Sequence, residues 1–377
     1  MTKLLISSHN TWSIFNFRQN LIRTLIANGN EIHIYAPVDS FGISLKELGC
    51  IIHDANFQGT SKNIFKELVS LLGWIYFIRK NQFNLCLHFG IKPNLYGSIA
   101  CILNRVPYIN NITGLGQIFQ KKSMLQKLVV FLYTLTQKKA AKIFFQNKDD
   151  YNLFFNLGIL SDESNVDLLP GSGVDLERFK LKKNFDFKNK KIKFYFFGRI
   201  LVSKGVILIV DAAEKLINIY GKDNVEFCIL GFIEANPNNK DHISYERIQA
   251  WEKRGLIKYL GQSNQIEKNI IEADCIVLPS YYREGTPRSL LEACALGLPI
   301  ITTNSVGCKD VVIDCVNGYM IEPNDIDSLV NALISMINLT HEERQEMGMK
   351  GREIIEEKFD ENIVISKYLQ ALKEFNV

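Results

Sequence analysis

At 377 residues the chain exceeds what one ordinary hydrophobic core sustains, and it fits two α/β domains of about 150–200 residues each. With 47% hydrophobic and 22% charged residues and a mean hydropathy near zero, neither disorder nor a coiled coil is expected. The net charge of +4 divides into +7 for residues 1–180 and −3 for the rest, and the eleven basic residues between Glu67 and Asp149 meet no acidic one, implying an anionic partner for the first half.

The run Met1–Ile6 enters a strand directly, without the apolar region of a signal peptide, and no apolar run reaches the roughly 18–20 residues that span a bilayer. A strand at Lys3–Ser8, a polar turn, a helix around Phe17–Asn28 and a strand at Glu31–Ala36 read as β-α-β. The turn, Ser8-His9-Asn10-Thr11-Trp12-Ser13, has no glycine where a dinucleotide site needs Gly-x-Gly-x-x-Gly. Gly114-Leu115-Gly116 and Gly171-Ser172-Gly173 lack the third glycine, so hydride chemistry on NAD is disfavoured. In the acid-free region Lys121, Lys122, Lys127, Lys138, Lys139 and Lys142 flank an apolar, aromatic-bearing centre too short to cross a bilayer. Two readings fit it: an interfacial helix on anionic headgroups, each lysine adding about 1 kcal/mol, or an ordinary core helix with a solvated edge. Nucleic acid is not an expected partner, because no binding motif accompanies the charge.

The Lys/Asn-rich stretch Leu181–Lys191 reads as a domain boundary. A second β-α-β follows: a strand at Lys193–Phe197, a turn with Gly198 and Gly205, a helix at Val206–Tyr220 and a strand at Val225–Leu230. Further strands are expected at Cys275–Leu278 and Pro299–Thr302, and helices at Arg288–Leu296 and about Asp325–Ile337. The terminal helices, from about Glu342 to Phe375, suit either domain. Continuous apolar strands alternating with helices predict parallel sheets covered on both faces, hence two Rossmann-like domains, 1–180 and 192–377, facing one another across a cleft. The eight cysteines are scattered, with no Cys-x-x-Cys pair, which fits reduced thiols in a cytosolic protein better than disulfides or a zinc site.

Ligands of such sheets bind beyond the carboxyl ends of the strands. Arg199 follows Gly198 at one strand end, and Lys204-Gly205 opens the next helix. There Arg as a fork and Lys as a point charge would hold a diphosphate, although a solvated basic turn explains the pair taken alone. In Arg283-Glu284-Gly285-Thr286-Pro287-Arg288, Thr286 reads as a helix cap and Pro287 as the first helical residue. Glu284 then lies ahead of the helix mouth and Glu292 about two turns inside it. The pair would accept sugar and ribose hydroxyls. Singly, Glu284 would complement the helix dipole and Glu292 would pair with a surface lysine. Asp325-Ile326-Asp327 has a metal-binding pattern, but its place before an apolar-periodic helix makes capping the expected role.

Taken together, Gly171-Ser172-Gly173-Val174-Asp175, Gly198-Arg199 with Lys204-Gly205, Pro279-Ser280, Glu284 with Glu292, and Gly297-Leu298-Pro299 resemble family 4 retaining glycosyltransferases. The resemblance covers nearly the whole chain and is strong over 168–322. It implies the GT-B fold, with a nucleotide-sugar donor held mostly by the second domain. By that resemblance Arg199 and Lys204 would hold the diphosphate, Glu292 the ribose and Glu284 the donor sugar, with Gly198, Gly285, Thr286 and Pro287 facing the donor. It implies no metal and no cofactor beyond the UDP-sugar co-substrate. Many relatives have His-Gly where this chain has Thr113-Gly114; Thr113 does not titrate near neutral pH, and His88 is offset and reads as a core or surface residue.

The nearest likeness is to bacterial enzymes that extend undecaprenyl-diphosphate-linked glycans, several with N-acetylgalactosamine. It implies a cytoplasmic enzyme attached peripherally to the inner face of the cytoplasmic membrane through its anionic lipids. Phe15, Phe17, Arg18, Thr113 and Gly114 would line the acceptor side. Two rival functions compete with this one. A non-hydrolysing sugar-nucleotide 2-epimerase needs titratable groups that the acid-free first half does not offer. A non-catalytic nucleotide-sugar-binding subunit is harder to reconcile with the retention of Arg199, Lys204, Glu284 and Glu292.

Overall fold

The computed structural model describes residues 2–55, 64–119, 123–160, 165–181, 191–234 and 239–375. Two units divide the chain: Met1–Ser172 with Asn362–Val377, and Gly173–Glu361.

In the first unit the order is β1 (Lys3–Ser7), α1 (Thr11–Ala27), β2 (Glu31–Ala36), α2 (Phe41–Glu47), β3 (Ile51–Asp54), α3 (Ile64–Asn81) and β4 (Leu85–Phe89). A π-helical turn at Pro93–Gly97 leads into α4 (Ser98–Asn104), then β5 (Tyr108–Ile112), α5 (Met124–Gln137), β6 (Lys142–Phe145), α6 (Lys148–Asn156) and β7 (Val166–Leu168). All neighbouring strands pair in parallel in the order β3-β2-β1-β4-β5-β6-β7. The central strands β1, β4 and β5 are almost entirely buried, as a parallel sheet covered on both faces requires.

The first helix begins at Thr11, six residues ahead of the expected Phe17. Asn10, in extended conformation, accepts the Ser13 N–H through its side chain, so the polar run after β1 is a cap and a first helical turn rather than a loop.

The second unit runs β8 (Ile192–Phe197), α7 (Val206–Tyr220), β9 (Val225–Leu230), α8 (Tyr245–Lys253), β10 (Lys258–Tyr259), α9 (Ile266–Ile270) and β11 (Cys275–Leu278). It continues with α10 (Arg288–Ala295), β12 (Ile300–Thr303), β13 (Gly318–Ile321), α11 (Ile326–Asn338) and α12 (His341–Lys358). Its parallel sheet has the order β10-β9-β8-β11-β12-β13. Helix α7 is bracketed by Gly205 (φ +78) and Gly221 (φ +83) and buries Ile209, Val210, Ala213 and Leu216.

The division falls at 172/173, ahead of the Leu181–Lys191 stretch, of which 182–190 lie outside the described residues. The cause is local pairing. The Val174 N–H donates to the Phe359 carbonyl, the Glu361 N–H donates to the Val174 carbonyl, and Phe179 is buried in the second core. The terminal helices part company: α12 packs on α10, whereas α13 (Glu361–Lys373) buries Val364, Tyr368, Ala371 and Leu372 in the first unit. There the Tyr368 hydroxyl bonds Asn111 of β5, and Lys367 reaches Asp167 of β7 at 2.8 Å.

Candidate active site

In the second sheet the strand order reverses between β8 and β11, and at such a switch point the loops beyond the carboxyl ends part to leave a ligand crevice. The loops here are 198–205 and 279–287. Gly205 turns the first into α7 in left-handed conformation, and a Cβ there would lie 2.3 Å from the Pro279 carbonyl oxygen, so only glycine lets the loops approach this closely. Ser203 anchors the first loop, giving its N–H to Asp241 at 2.7 Å and its hydroxyl to the same carboxylate. Its carbonyl accepts the N–H groups of Tyr281 (3.0 Å) and Tyr282 (3.2 Å), tying the loops together.

On this frame the Lys204 ammonium donates to Glu284 Oε1, which also accepts the Ser280 hydroxyl at 3.1 Å. Both members of the ion pair are only 12% and 11% exposed. The Arg199 guanidinium lies over the Tyr282 ring, 5.7 Å from its centroid, and burial raises the pKa of that phenol. Arg199, Lys204 and Glu284, separated by up to 85 positions in the chain, thus meet around one loop junction. A largely buried, hydrogen-bonded Lys204–Glu284 pair, with the exposed Arg199 guanidinium held nearby on the Tyr282 ring, can grip an anion while offering an acceptor to a hydroxyl.

Helix α10 departs from expectation in two respects. Thr286 is buried but does not cap it. Pro287 (φ −64, ψ 113) is the cap residue, and its carbonyl accepts the Leu290 N–H. Proline fits because its missing N–H is not needed there. Glu292 lies four residues beyond Arg288, about one turn inside the helix, where the sequence reading put it about two turns in. Its partner is Arg288 of the same helix, Nε to Oε1 2.8 Å, and not a surface lysine. Burial pushes the Glu292 carboxyl above its usual range, with Arg288 opposing. Behind the second loop, Gly307 (φ +81) brings its α-carbon against the chain: a Cβ there would meet the Gly285 carbonyl at 1.8 Å. Asp325 caps α11, accepting the N–H groups of Asp327 and Ser328 at 3.0 Å.

In the first unit, Phe15, Phe17 and Arg18 lie on α1, which follows β1, and Thr113 and Gly114 directly follow β5. Phe15 packs on Phe41, and Phe17 sets an edge against Trp12. Arg18 is buried, its guanidinium 4.6 Å from the Phe89 ring centroid and its NH1 bonded to the Phe17 carbonyl. Thr113 and Gly114 (φ +118) are partly exposed. His88 is a core residue. It is fully buried, bonds Ser7 Oγ at 2.7 Å, and burial pushes its pKa down to about 3. Cys86, His88 and Cys101 form a buried trio within 4.8 Å, absent from the sequence reading, which treated the cysteines as isolated.

Two residues of the second-unit cluster also escaped that reading. Asp241 sits 38 positions from the Ser203 it anchors, and Tyr282 has no motif that marks its ring as a platform for Arg199. Only a tertiary contact assigns either role.

Two parallel Rossmann-like sheets, the second with a polar cluster at its switch point, are the GT-B architecture. Residues 177–354 match the family model "Glycosyl transferases group 1", so the chain carries that domain and is a glycosyltransferase of the hexosyl class. Over 383 residues and 96% of both chains it is 28% identical to the N,N'-diacetylbacillosaminyl-diphospho-undecaprenol alpha-1,3-N-acetylgalactosaminyltransferase of Campylobacter jejuni. It is 27% identical, over 72% of this chain and 71% of the relative, to the UDP-Gal:alpha-D-GlcNAc-diphosphoundecaprenol alpha-1,3-galactosyltransferase of Escherichia coli. Among solved structures, Anabaena HepE in complex with UDP and glucose superposes with a TM-score of 0.78 at 16% identity, over 99% of this chain and 100% of that one. A glycosyltransferase from Rickettsia africae gives 0.77 at 17%, over 99% and 98%. These likenesses carry sugar transfer and give no support to 2-epimerisation.

Proposed function

We propose that the protein moves an N-acetylhexosamine, GalNAc being the leading candidate, from a UDP-sugar to a glycan linked through diphosphate to undecaprenol, with retention at the anomeric carbon. The single observation that carries the donor side is the joining of Arg199, Lys204 and Glu284 at the second switch point. The full-length likeness to the Campylobacter enzyme supports the acceptor class.

In this reading Arg199 and Lys204 bind the two phosphates, and Glu284, sharing Lys204, accepts a donor-sugar hydroxyl. Gly198, Gly285, Thr286 and Pro287 offer close backbone approach, and Glu292 accepts the ribose hydroxyls. The acceptor hydroxyl attacks C1 from the face that the diphosphate leaves. The C1–O bond to phosphate breaks as the new C1–O bond forms, and the acceptor proton passes to the departing phosphate oxygen. No side-chain base is needed, which suits a first unit whose His88 is buried and neutral and whose Thr113 does not titrate. The two cations supply the charge that a divalent metal supplies elsewhere, so the reaction is proposed to be metal-independent. Phe15, Phe17, Arg18, Thr113 and Gly114 belong to the acceptor side. The enzyme works attached to the inner face of the cytoplasmic membrane; no helix among the described residues is long and apolar enough to cross it.

Glu292 makes a pH-dependent prediction. To accept the ribose hydroxyls it must be ionised, and its pKa stands above the ordinary 4.5. UDP affinity is therefore expected to weaken on acidification at a pH where an ordinary carboxylate would still be charged. Glu292→Gln should bind more weakly and lose that inflection, as titration calorimetry across pH would read. The linkage to stability has the opposite sense. The folded protein holds this proton more tightly than the unfolded chain, so the contribution is full below 4.5 and fades as pH rises through the raised value.

The deciding experiment is a donor screen. The protein is incubated with several UDP- and GDP-sugars and an undecaprenyl-diphosphate-linked acceptor, with nucleotide release, product mass and anomeric configuration followed. UDP release coupled to an α-linked product is expected. Nucleotide binding without transfer from any donor would favour the non-catalytic subunit instead.

A further inference from the structure

Twenty large apolar side chains stand exposed among the described residues, and eleven of them lie on three consecutive helices of the first unit. On α3 these are Phe65, Leu68, Val69, Leu72 and Tyr76, spaced three and four apart so that they form one stripe. The opposite side of α3, with Trp74 and Ile78, fills the core. On α5 a second stripe comprises Met124, Leu125, Leu128, Phe131 and Leu135, while Val129 and Tyr133 point inward. Helix α4 packs against both and adds Leu103. Two readings of α5 fit the sequence, an interfacial helix and a core helix with a solvated edge; α5 buries one face in the core and also exposes an apolar stripe, while nothing in the sequence marks α3. Lys121 and Lys122, part of the expected flank, lie outside the described residues.

The charge around these stripes has one sign. Arg79, Lys80, Arg105, Lys127, Lys138 and Lys139 are exposed on or beside the three helices. The only carboxylate on them, Glu67, is neutralised: Lys92 reaches it at 2.8 Å and the Tyr96 hydroxyl at 2.6 Å, which also fixes the rotation of α3 against the π-helical turn.

We infer that α3, α4 and α5 form one platform that docks on an anionic lipid bilayer, with the two apolar stripes entering the headgroup boundary and the basic residues on lipid phosphates. A second copy of this chain is a poor occupant, because it would bring two uncompensated basic faces together. The inference deepens the peripheral attachment proposed above, and its test reads binding rather than turnover, so the failure of either can be told apart.

The full chain is floated with vesicles of phosphatidylcholine alone and of phosphatidylcholine with phosphatidylglycerol, at low and high salt. Binding to the anionic vesicles at low salt is expected, weakening with salt. Val69→Glu with Leu72→Glu on α3, and separately Leu128→Glu with Phe131→Glu on α5, should each lower the partition coefficient at least about tenfold. Circular dichroism and UDP binding should be unchanged. Transfer to a vesicle-borne acceptor should fall, while transfer to a short soluble one persists. Wild-type flotation by both double variants would overturn the inference. Loss in the α5 variant alone would overturn the joint platform. A dimer in sedimentation that the same substitutions disperse, without vesicle binding, would assign the face to self-association instead.

Discussion

Lys204→Ala is expected to lower kcat/KM by about 10²–10³-fold, the range seen when one preorganised donor is taken from a developing anion. The argument rests on where the ammonium is held. Its loop is fixed at both ends of a short span, by Ser203 on Asp241 and by Gly205 against Pro279, so the charge waits in place and needs no reorganisation when the diphosphate leaves. Removal also strands Glu284, a carboxylate 11% exposed, which would then repel the donor phosphates. Lys204→Arg should recover little, because the longer fork has to displace Ser280 to reach the same oxygen. The measurement is steady-state transfer from the donor found by the screen, with UDP affinity in parallel. An alanine variant within a few-fold of wild type would remove Lys204 from the chemistry.

Gly205→Ala is expected to lower both the stability of the second unit and its activity. The position has φ +78, where an L-residue costs about 1–2 kcal/mol, and the added carbon would overlap the Pro279 carbonyl, 2.3 Å away. Relieving that overlap should cost about 1–3 kcal/mol more, as other overpacked sites do. The loop must move, and Lys204, its immediate neighbour, moves with it, so transfer should fall together with the melting temperature. Gly158→Ala is the control, a left-handed glycine (φ +68) with nothing within 4 Å of the added carbon. It should show the conformational cost alone and keep full activity. Equal loss in both variants would mean that backbone conformation, and not the closeness of Pro279, makes glycine necessary at 205.

The sequence was most legible where one signal sufficed. Strand β9 and helix α7 match their expected bounds because an apolar run interrupted only by Glu226 and a helix between two glycines of positive φ favour that reading strongly. Helix α1 was read six residues short because its first turn is polar. The capping pair Asn10 and Ser13 was present in the sequence but outweighed by the apolar periodicity that begins later. Thr286-Pro287 misled in the reverse direction: a favourable cap signal was present, yet the helix starts one residue on. Arg199, Lys204 and Glu284 could be named from strand ends and helix mouths. Their assembly into one cluster could not, since it depends on β8 lying beside β11, a pairing between strands some 80 residues apart. Asp241 and Tyr282 belong wholly to that hidden part, as does the apolar stripe of α3, whereas the apolar centre of α5 with its flanking lysines stood out in the sequence. The α3 stripe stands out only once the other face of the helix is known to be filled.

The placement of α13 bears on how the chain comes to be folded as it is synthesised. Domains commonly fold in the order in which they leave the ribosome. Here Val364, Tyr368, Ala371 and Leu372 emerge after the whole of the second unit, yet they complete the core of the first. The earlier-made sheet must therefore wait with one apolar side uncovered while the later-made unit, continuous in sequence, can finish on its own. A nascent chain stalled before residue 361 would hold a native second unit beside an incomplete first one, and that exposed side is where a holding chaperone would bind.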